Sequence, residues 1–239
     1  MRNKNYAIVV AAGKGKRMGA DINKIYLKLG DKPVIIHTLE AFCQAREIDG
    51  IVIVISSEDR NYFEEEVVEK YSFSKPILIV EGGKERQMSV YNGLMALPKD
   101  ADIVAIHDGA RPFVTADMVD RSVAGARKYG AVVMATPVKD TIKEASENLY
   151  ASSTLDRNKL WAVQTPQTFA YELIIRAHEE AKKQGIVATD DSALVERLGE
   201  PVKILRGSYD NIKITTWEDM LLAEQILLNR SKSRGEFEP

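Results

Sequence analysis

Cysteine is almost absent from this sequence, since Cys43 is the only one among 239 residues. A single cysteine cannot form a disulfide within the chain, and it cannot build a cysteine-rich zinc site. An excess of one charge is also lacking, because 33 lysines and arginines face 35 aspartates and glutamates, for a net charge of −2. No global basic field draws the chain to nucleic acid or acidic lipid, so we expect neither as a partner.

Long apolar runs are missing as well. No stretch reaches the roughly 18 apolar residues that a membrane-spanning helix needs, and the start of the chain does not resemble a signal peptide. The composition, 45% hydrophobic and 28% charged, supplies a full core and excludes wholesale disorder. We therefore expect a soluble, cytoplasmic protein with a single domain over residues 1–230 and a flexible tail over residues 231–239.

Short β-branched runs alternate with longer helical patterns along the chain. This alternation predicts an α/β fold with a Rossmann-like, mostly parallel sheet and flanking helices. The predicted strands are Tyr6–Ala11, Ile51–Ser56, Ile77–Val80, Ile103–His107, Ala131–Thr136, Val202–Leu205 and Ile212–Ile214. The predicted helices are Val34–Ala45, Asp59–Tyr71, Arg86–Leu97, Thr115–Tyr129, Tyr171–Gln184 and Trp217–Leu228.

Residues 138–158 interrupt the alternation with two short strand-like patterns on either side of a polar turn. The pattern predicts a β-hairpin that protrudes from the sheet. An isolated hairpin is only marginally stable in water, so it must pack against something. The residues alone leave two possibilities open: the hairpin folds back on its own domain, or it embraces a second subunit.

A glycine-rich loop follows the first predicted strand directly, at residues 11–19. Its glycines let backbone N–H groups approach an anion, and Lys14, Lys16 and Arg17 add positive charge. The spacing fits neither the dinucleotide fingerprint nor the Walker loop, which excludes a redox dinucleotide binder. The loop therefore predicts phosphate binding of another kind, at the sheet edge where open α/β folds bind ligands.

Two further segments follow predicted strands. In residues 81–90, Arg86 and Ser89 are three apart and so share one helix face, after a pair of glycines. In residues 106–112, Asp108 stands at a strand end, where a carboxylate beside a triphosphate is a natural Mg²⁺ ligand. Arg111 is expected to bind phosphate or to hold Asp108. His107 is expected to be a packed or hydrogen-bonded strand residue.

These motifs together carry a family resemblance. The glycine loop, followed by Lys24, is similar to nucleotidyltransferases that activate sugar and polyol phosphates. With the later segments around Arg157, Thr165 and Thr189, the chain resembles the 2-C-methyl-D-erythritol 4-phosphate cytidylyltransferases from about Tyr6 to Leu228. It departs from their pattern beside Lys24, because the family usually has proline and glutamine where Asn23 and Ile25 stand.

The resemblance implies transfer of a cytidylyl group from CTP to 2-C-methyl-D-erythritol 4-phosphate, with Mg²⁺ as cofactor. It implies that Arg17 and Lys24 stabilise the transition state, and that Arg157 and Lys213 position the alcohol phosphate. The implied CTP-binding residues are Ala11, Ala12, Gly13, Gly15, Lys16, Gly83, Arg86 and Ser89. The implied residues for the alcohol substrate are Asp108, Arg111, Thr141, Thr165 and Thr189, with Asp108 serving the metal, the polyol or both.

The chemistry of the substrates is consistent with these residue types. A phosphomonoester is mostly dianionic at neutral pH, with a second pKa of about 6, so it needs no general base. Positioning and charge stabilisation carry such transfers. The resemblance also implies a homodimer in which the hairpin arm, residues 138–158, crosses to the partner. Two alternatives remain: a ribitol-5-phosphate cytidylyltransferase, and a non-catalytic nucleotide sensor on the same fold.

Overall fold

The computed structural model describes residues 4–13 and 23–235. The strands are β1 (Lys4–Val10), β2 (Lys28–Leu29), β3 (Lys32–Pro33), β4 (Gly50–Ile55), β5 (Ile77–Glu81), β6 (Ala101–Asp108), β7 (Ala131–Pro137), β8 (Lys143–Ala145), β9 (Ala151–Thr154), β10 (Trp161–Ala170) and β11 (Lys203–Arg206). The helices are α1 (Val34–Gln44), α2 (Arg60–Phe63), α3 (Arg86–Met95), α4 (Ala116–Tyr129), α5 (Tyr171–Gln184), α6 (Asp191–Arg197) and α7 (Trp217–Gly235).

Seven strands form one central sheet in the order β11–β7–β10–β6–β1–β4–β5. Neighbouring strands run parallel except at β10, which is antiparallel to both β6 and β7. Buried side chains alternate between the two faces of the sheet, so that Ala7 and Val9 pack on one side and Ile8 on the other. Helices α1 and α4 cover the first face, and α3, α5 and α6 cover the second. The predicted α/β class with a mostly parallel sheet is confirmed.

Strand β10 was not expected from the sequence pattern. Four consecutive polar or proline positions, residues 164–167, lie in its middle, and a proline usually argues against a central strand. The structure nevertheless buries Gln164, Thr165, Gln167 and Thr168 between β6 and β7. The ladder to β7 is irregular between Val163 and Gln167, so residues 164–166 have no regular partner there, whereas Gln167 and Thr168 pair with both neighbouring strands.

The predicted strand Ile212–Ile214 is wrong, because these residues form a loop. The loop packs through Ile214, which is fully buried with Phe113 and Met220 in a small cluster. The Ile214 N–H donates to the carbonyl of Ala110 at 2.9 Å, and this bond ties the loop to the segment after β6. The apolar pattern of residues 212–214 therefore indicates that the segment is buried, but it does not indicate that the segment pairs with the sheet.

The helices differ from the predicted ones by more than two residues in three places. Helix α6 was not predicted; it starts after Asp190, whose Oδ1 accepts from the Ala193 N–H at 2.9 Å. The predicted helix Asp59–Tyr71 is an irregular run, with a 3₁₀ turn at 57–59, α2, and a π turn at 64–68. Helix α7 continues to Gly235, beyond the predicted end at Leu228 and into the segment expected to be a flexible tail.

The predicted hairpin is present as a separate two-stranded sheet of β8 and β9. Its base is closed by a bond from the Val138 N–H to the Leu160 carbonyl at 3.1 Å. Leu149 and Tyr150 at the turn are 87% and 78% exposed, so the hairpin buries neither of them against its own domain. Among the described residues, no helix is both long and apolar enough to cross a membrane.

Candidate active site

The carboxyl ends of β1 and β6 border a cleft at the topological switch point of the sheet. The chain leaves β1 toward β4 and leaves β6 toward β7, in opposite directions along the sheet. This first cleft has a volume of about 360 Å³. Its lining comes from Val10, Ala11, Ala12, Gly13, Lys24, Ile25, Gly83, Lys84, Glu85, Arg86, Ser89, Asp108, Ala110, Lys213 and Thr215.

The loops after β1 and β5 approach each other closely at the first cleft. Both are tied to β4, since the Ala11 N–H donates to Val54 O and the Gly82 N–H donates to Ile55 O, each at 2.7 Å. A Cβ atom on Gly82 would lie 2.4 Å from the Cβ of Ala12, so this approach requires a glycine. The predicted Ala11, Ala12, Gly13 and Gly83 all line the cleft.

Ser89 shapes the loop that carries Gly83. Its hydroxyl accepts from the Gly83 N–H at 3.0 Å and donates to the Glu85 carbonyl at 3.1 Å. The side chain is buried, and its only proton is committed to Glu85. The structure therefore brings Ser89 to the first cleft as predicted, with its hydrogen bonds directed to the loop backbone.

Lys24 begins a short 3₁₀ helix, Lys24–Tyr26, at the rim of the first cleft. The buried Asn23 holds this helix in place. Its Nδ2 donates to Ala11 O at 3.2 Å and to Asp59 Oδ2 at 3.0 Å, and its Oδ1 accepts from the Ile25 N–H at 3.4 Å. Asn23, one of the two residues that depart from the family pattern, thus connects the lysine segment to the end of β1.

Asp108 is the centre of a cluster of three cations. Arg86 Nε lies 3.0 Å from Asp108 Oδ1, while Lys213 Nζ lies 2.8 Å and Arg111 Nε 3.8 Å from Oδ2. Arg111 also donates through Nη1 to the carbonyl of Asn211 at 2.8 Å, which links the cluster to the loop that carries Lys213. The sequence predicted Asp108, Arg111, Arg86 and Lys213 separately, and the fold brings them together.

The cations determine the ionisation of this buried carboxylate. Burial by itself would raise the pKa of Asp108, but the charges of Arg86, Lys213 and Arg111 hold that pKa well below its usual range. For Arg86, burial opposes the charged form, but Asp191 and Asp108 raise its pKa above the ordinary value. Asp108 and Arg86 are therefore both ionised at neutral pH.

A second cleft of about 240 Å³ adjoins the first. Arg86, Asp108 and Lys213 line both clefts, and so form the wall between them. The second cleft is further lined by Arg111, Val163, Gln164, Thr165, Gln167, Thr189 and Asp190. The predicted Thr165 and Thr189 thus lie on the far side of Asp108 from the glycine loop.

Arg86 also reaches a buried carboxylate that sequence reasoning did not single out. Its Nη1 lies 2.7 Å from Asp191 Oδ2, and His178 Nε2 lies 3.2 Å from Asp191 Oδ1. The backbone N–H of Asp191 donates to Gln167 Oε1 at 3.1 Å. The two consecutive aspartates at 190–191 could have indicated that Asp191 has a partner elsewhere. Asp190 alone caps helix α6, so Asp191 is not needed for capping. His178 belongs to this network.

His107 connects the second cleft to the segment that carries Arg111. Its Nδ1 lies 3.0 Å from Thr165 Oγ1, and its Nε2 lies 3.2 Å from the carbonyl oxygen of Arg111. The ring is fully buried against Phe42, at 5.1 Å between centroids. Burial lowers the pKa of His107 to about 3, so the ring is neutral at physiological pH. The expectation of a hydrogen-bonded strand residue is confirmed.

The described residues do not form a metal site of their own. No group of three or more histidine, cysteine, aspartate or glutamate side chains among them could hold an ion. Asp108, the predicted metal ligand, has Arg86 on one oxygen and Lys213 on the other. A resident Mg²⁺ would have to displace one of these cations and sit beside the others, so the residues present do not fit a protein-held ion.

Some predicted site residues lie elsewhere. Arg157 and Thr141 are exposed at the base of the hairpin and line neither cleft. Arg157 Nη1 donates to the carbonyl of Lys139 at 2.7 Å. Gly15, Lys16 and Arg17 lie outside the described residues.

The sequence and the fold match one family over almost their full extent. The sequence model of 2-C-methyl-D-erythritol 4-phosphate cytidylyltransferase (IspD) matches residues 6–229. The chain belongs to the IspD family. A relative of that name from Geobacillus thermodenitrificans is 52% identical over 227 residues, which cover 95% of this chain and 98% of the relative. Another from Desulforamulus reducens is 49% identical over 94% of this chain and 96% of its own length.

Solved structures give the same assignment for the fold. The 4-diphosphocytidyl-2C-methyl-D-erythritol synthase of Anaerococcus prevotii is similar to this IspD chain with a TM-score of 0.84 and 35% identity, covering 95% of this chain and 99% of that one. The 2-C-methyl-D-erythritol 4-phosphate cytidylyltransferase of Thermus thermophilus has a TM-score of 0.74 and 31% identity. The family resemblance drawn from the motifs is therefore confirmed.

Proposed function

We infer that this IspD chain transfers the cytidylyl group of CTP to 2-C-methyl-D-erythritol 4-phosphate and releases pyrophosphate, a step of isoprenoid precursor synthesis. The observation that carries this inference is the family match over residues 6–229. The paired clefts support it, because a transfer between two phosphorylated substrates needs two adjoining anion sites with cations at their common wall.

The reaction joins two anions and moves no proton at the attacking atom. An oxygen of the alcohol phosphate forms a bond to the α-phosphorus of CTP, and the bond from that phosphorus to the bridging oxygen of pyrophosphate breaks. The attacking phosphate is mostly dianionic at neutral pH, with a second pKa of about 6, so it needs no base. The chain therefore has to overcome charge repulsion and to align the two phosphates.

We assign the nucleotide to the first cleft. Ala11, Ala12, Gly13 and Gly83 offer backbone at its floor, which supports close approach of a triphosphate and a base. Lys24 at the rim is suited to stabilise charge on the α-phosphate during transfer. Arg17, assigned the same role by resemblance, remains part of the proposal.

We assign the alcohol phosphate to the second cleft. Lys213 is 37% exposed in the wall between the clefts, so it can contact both the incoming phosphate and the nucleotide. Arg111 is only 13% exposed and is committed to Asp108 and the Asn211 carbonyl, which suits it to holding the cluster. Thr165 and Thr189 are positioned to contact the polyol.

Magnesium is proposed to enter with the triphosphate. The chain's own residues do not fit a resident ion, as the cations on both oxygens of Asp108 indicate. Mg²⁺ characteristically keeps several waters and binds nucleotide phosphates with few protein ligands. In this arrangement Asp108 serves chiefly to hold Arg86, Arg111 and Lys213.

We also propose a homodimer built through residues 138–158. The exposed Leu149 and Tyr150 at the turn are apolar surfaces that a partner could cover. Arg157 and Thr141 lie at the base of the same arm and away from both clefts of their own chain. A role for them at an active site is therefore proposed to act across the interface.

An assay of pyrophosphate release with CTP and each of two polyol phosphates tests the assignment. We expect turnover with 2-C-methyl-D-erythritol 4-phosphate and little with ribitol 5-phosphate. Faster turnover with ribitol 5-phosphate would reassign the substrate. Binding of CTP without turnover on either alcohol would indicate a nucleotide sensor. Replacing CTP with ATP is the matched control, and it should lower the rate at equal concentration.

A further inference from the structure

Thr165 has no free proton to offer a ligand. Its Oγ1 accepts from the backbone N–H of Asp108 at 3.1 Å and lies 3.0 Å from Nδ1 of His107. Thr165 is buried but borders the second cleft. The direction of the bond to His107 therefore decides what the hydroxyl can present to a substrate.

The second ring nitrogen of His107 fixes that direction. Nε2 lies 3.2 Å from the carbonyl oxygen of Arg111, which can only accept, so Nε2 carries a proton. The ring is fully buried against Phe42 and is neutral, so Nδ1 carries none. Nδ1 is then an acceptor, and the Thr165 hydroxyl donates its proton to it.

The hydrogen bonds that the Thr165 hydroxyl already makes determine how many more it can form. A threonine hydroxyl has one proton and two acceptor positions. The proton is used by His107, and one acceptor position is used by the Asp108 N–H. One acceptor position is left to face the second cleft.

We propose that His107 is a positioning residue that fixes Thr165 as an acceptor only, so that Thr165 binds a hydroxyl donor of the alcohol substrate and disfavours a phosphate. This rests on the proposed function. A phosphate dianion has no proton to donate, and Lys213, which lines the same cleft, offers it a cation. The hydrogen-bond direction thus orients the substrate, with a hydroxyl at Thr165 and the phosphate at the wall between the clefts.

Fluorinated substrates test the direction of this bond. Three analogues of 2-C-methyl-D-erythritol 4-phosphate, each with one hydroxyl replaced by fluorine, retain an acceptor but lack the donor. For the hydroxyl that faces Thr165, the wild-type chain should show a KM about tenfold higher for the fluoro analogue, with the KM for CTP unchanged. In Thr165→Val, the parent substrate and this analogue should have the same KM.

Two variants of His107 separate its two hydrogen bonds. In His107→Asn, the amide oxygen takes the place of Nδ1 and still accepts from Thr165, so the preference for the hydroxyl should persist. In His107→Gln, the amide lies where Nε2 was and serves the Arg111 carbonyl instead. Thr165 then regains a free proton, and the roughly tenfold preference should shrink to threefold or less.

Thr168→Val is the matched control, because Thr168 is a buried threonine of the same strand whose hydroxyl bonds Ser122 at 2.9 Å. It should leave the preference unchanged. A preference that is the same in wild type, Thr165→Val and His107→Gln would overturn the inference, as would identical behaviour of the Asn and Gln variants. No pyrophosphate from wild type and the parent substrates would instead overturn the proposed function. If one His107 variant fails to fold, the other still decides, because His107→Asn must keep the preference and His107→Gln must lose most of it.

Discussion

Asp108 carries the charge balance of the site, although a carboxylate buried this deeply would by itself favour the neutral form. The charges of Arg86, Lys213 and Arg111 reverse that preference and lower its pKa. Asp108 in turn keeps three like charges close together at the wall between the clefts. Its removal would leave those cations with too little compensation.

The lowered pKa predicts how stability depends on pH. A carboxylate whose folded pKa is depressed contributes stability above its ordinary pKa of 3.8, and that stability is lost as pH falls toward the folded value. We expect Asp108→Asn to lower the free energy of unfolding by about 2–3 kcal/mol at neutral pH. The difference from wild type should stay constant down to about pH 5 and shrink below about pH 4 in urea titrations.

The exposed Asp117 provides the control for that titration. Its side chain is 75% exposed and pairs with Arg121 one turn away. Asp117→Asn should change the free energy of unfolding by less than about 0.5 kcal/mol. A pH-independent difference between wild type and Asp108→Asn down to about pH 2 would contradict the depressed pKa.

Asn23 is expected to matter for rate more than for affinity. Asn23→Ala removes the donor to Ala11 O and Asp59 Oδ2, and so loosens the segment that begins with Lys24. We expect kcat to fall about tenfold, because a misplaced charge stabilises the transition state poorly. The KM for CTP should change little in steady-state assays. The exposed Asn61→Ala is the control, and an unchanged kcat in Asn23→Ala would limit Asn23 to folding.

Among the secondary-structure elements, Arg86 connects the start of α3 to the end of β6 and to α6. Its Nε bonds Asp108 and its Nη1 bonds Asp191, so one guanidinium serves two buried carboxylates on different elements. A lysine ammonium is a compact charge at one point and cannot reproduce this planar fork. The spatial relation of the two clefts therefore depends on an arginine at this position.

Arg86→Lys should weaken both stability and turnover. We expect a loss of about 2 kcal/mol in the free energy of unfolding, since one buried carboxylate loses its partner, and a clear fall in kcat in the pyrophosphate assay. Arg121→Lys tests whether the exchange itself is harmful, because Arg121 is half exposed in an i,i+4 pair and should lose less than about 0.5 kcal/mol. Equal stability of wild type and Arg86→Lys would show that the fold does not need one side chain that bonds both carboxylates.

The sequence predicted most of the sheet because β1, β4 and β6 are apolar runs, buried on both faces. The sequence pattern does not predict strand β10, because the centre of this strand is polar and contains a proline. Those polar groups are satisfied by contacts far along the chain, such as Gln164 with the Ser208 carbonyl 44 residues away. Asp191 was missed for the same reason, since its partner Arg86 lies 105 residues away. Sequence pattern and spacing indicate local structure, whereas pairings between residues that are distant in the sequence form only when the chain folds.

In the assembled molecule, the position of Arg157 in the arm determines which chain's active site it can contact. Arg157 borders neither described cleft, and its guanidinium bonds the Lys139 carbonyl within the arm. Leu149 and Tyr150 at the far end of the arm are largely exposed. A C₂ dimer in which each arm reaches the other chain would cover these residues and bring Arg157 to a phosphate.

A subunit-mixing experiment tests that arrangement. Chains with Arg157→Ala and chains with Lys213→Ala are each expected to be nearly inactive. If Arg157 acts across the interface, a heterodimer has one site with both lesions and one site with neither, so activity should return to about half of wild type. If both residues serve the same chain, every site keeps one lesion and the proven heterodimers remain inactive.

The wall shared by the two clefts has a thermodynamic consequence. Arg86 and Lys213 border both, so two anionic ligands bound as proposed, one in each cleft, would interact with the same positive charges. The dissociation constant of each ligand then depends on whether the other ligand is bound. By reciprocity, the factor by which bound CTP changes the dissociation constant of the alcohol phosphate equals the factor by which the alcohol phosphate changes that of CTP.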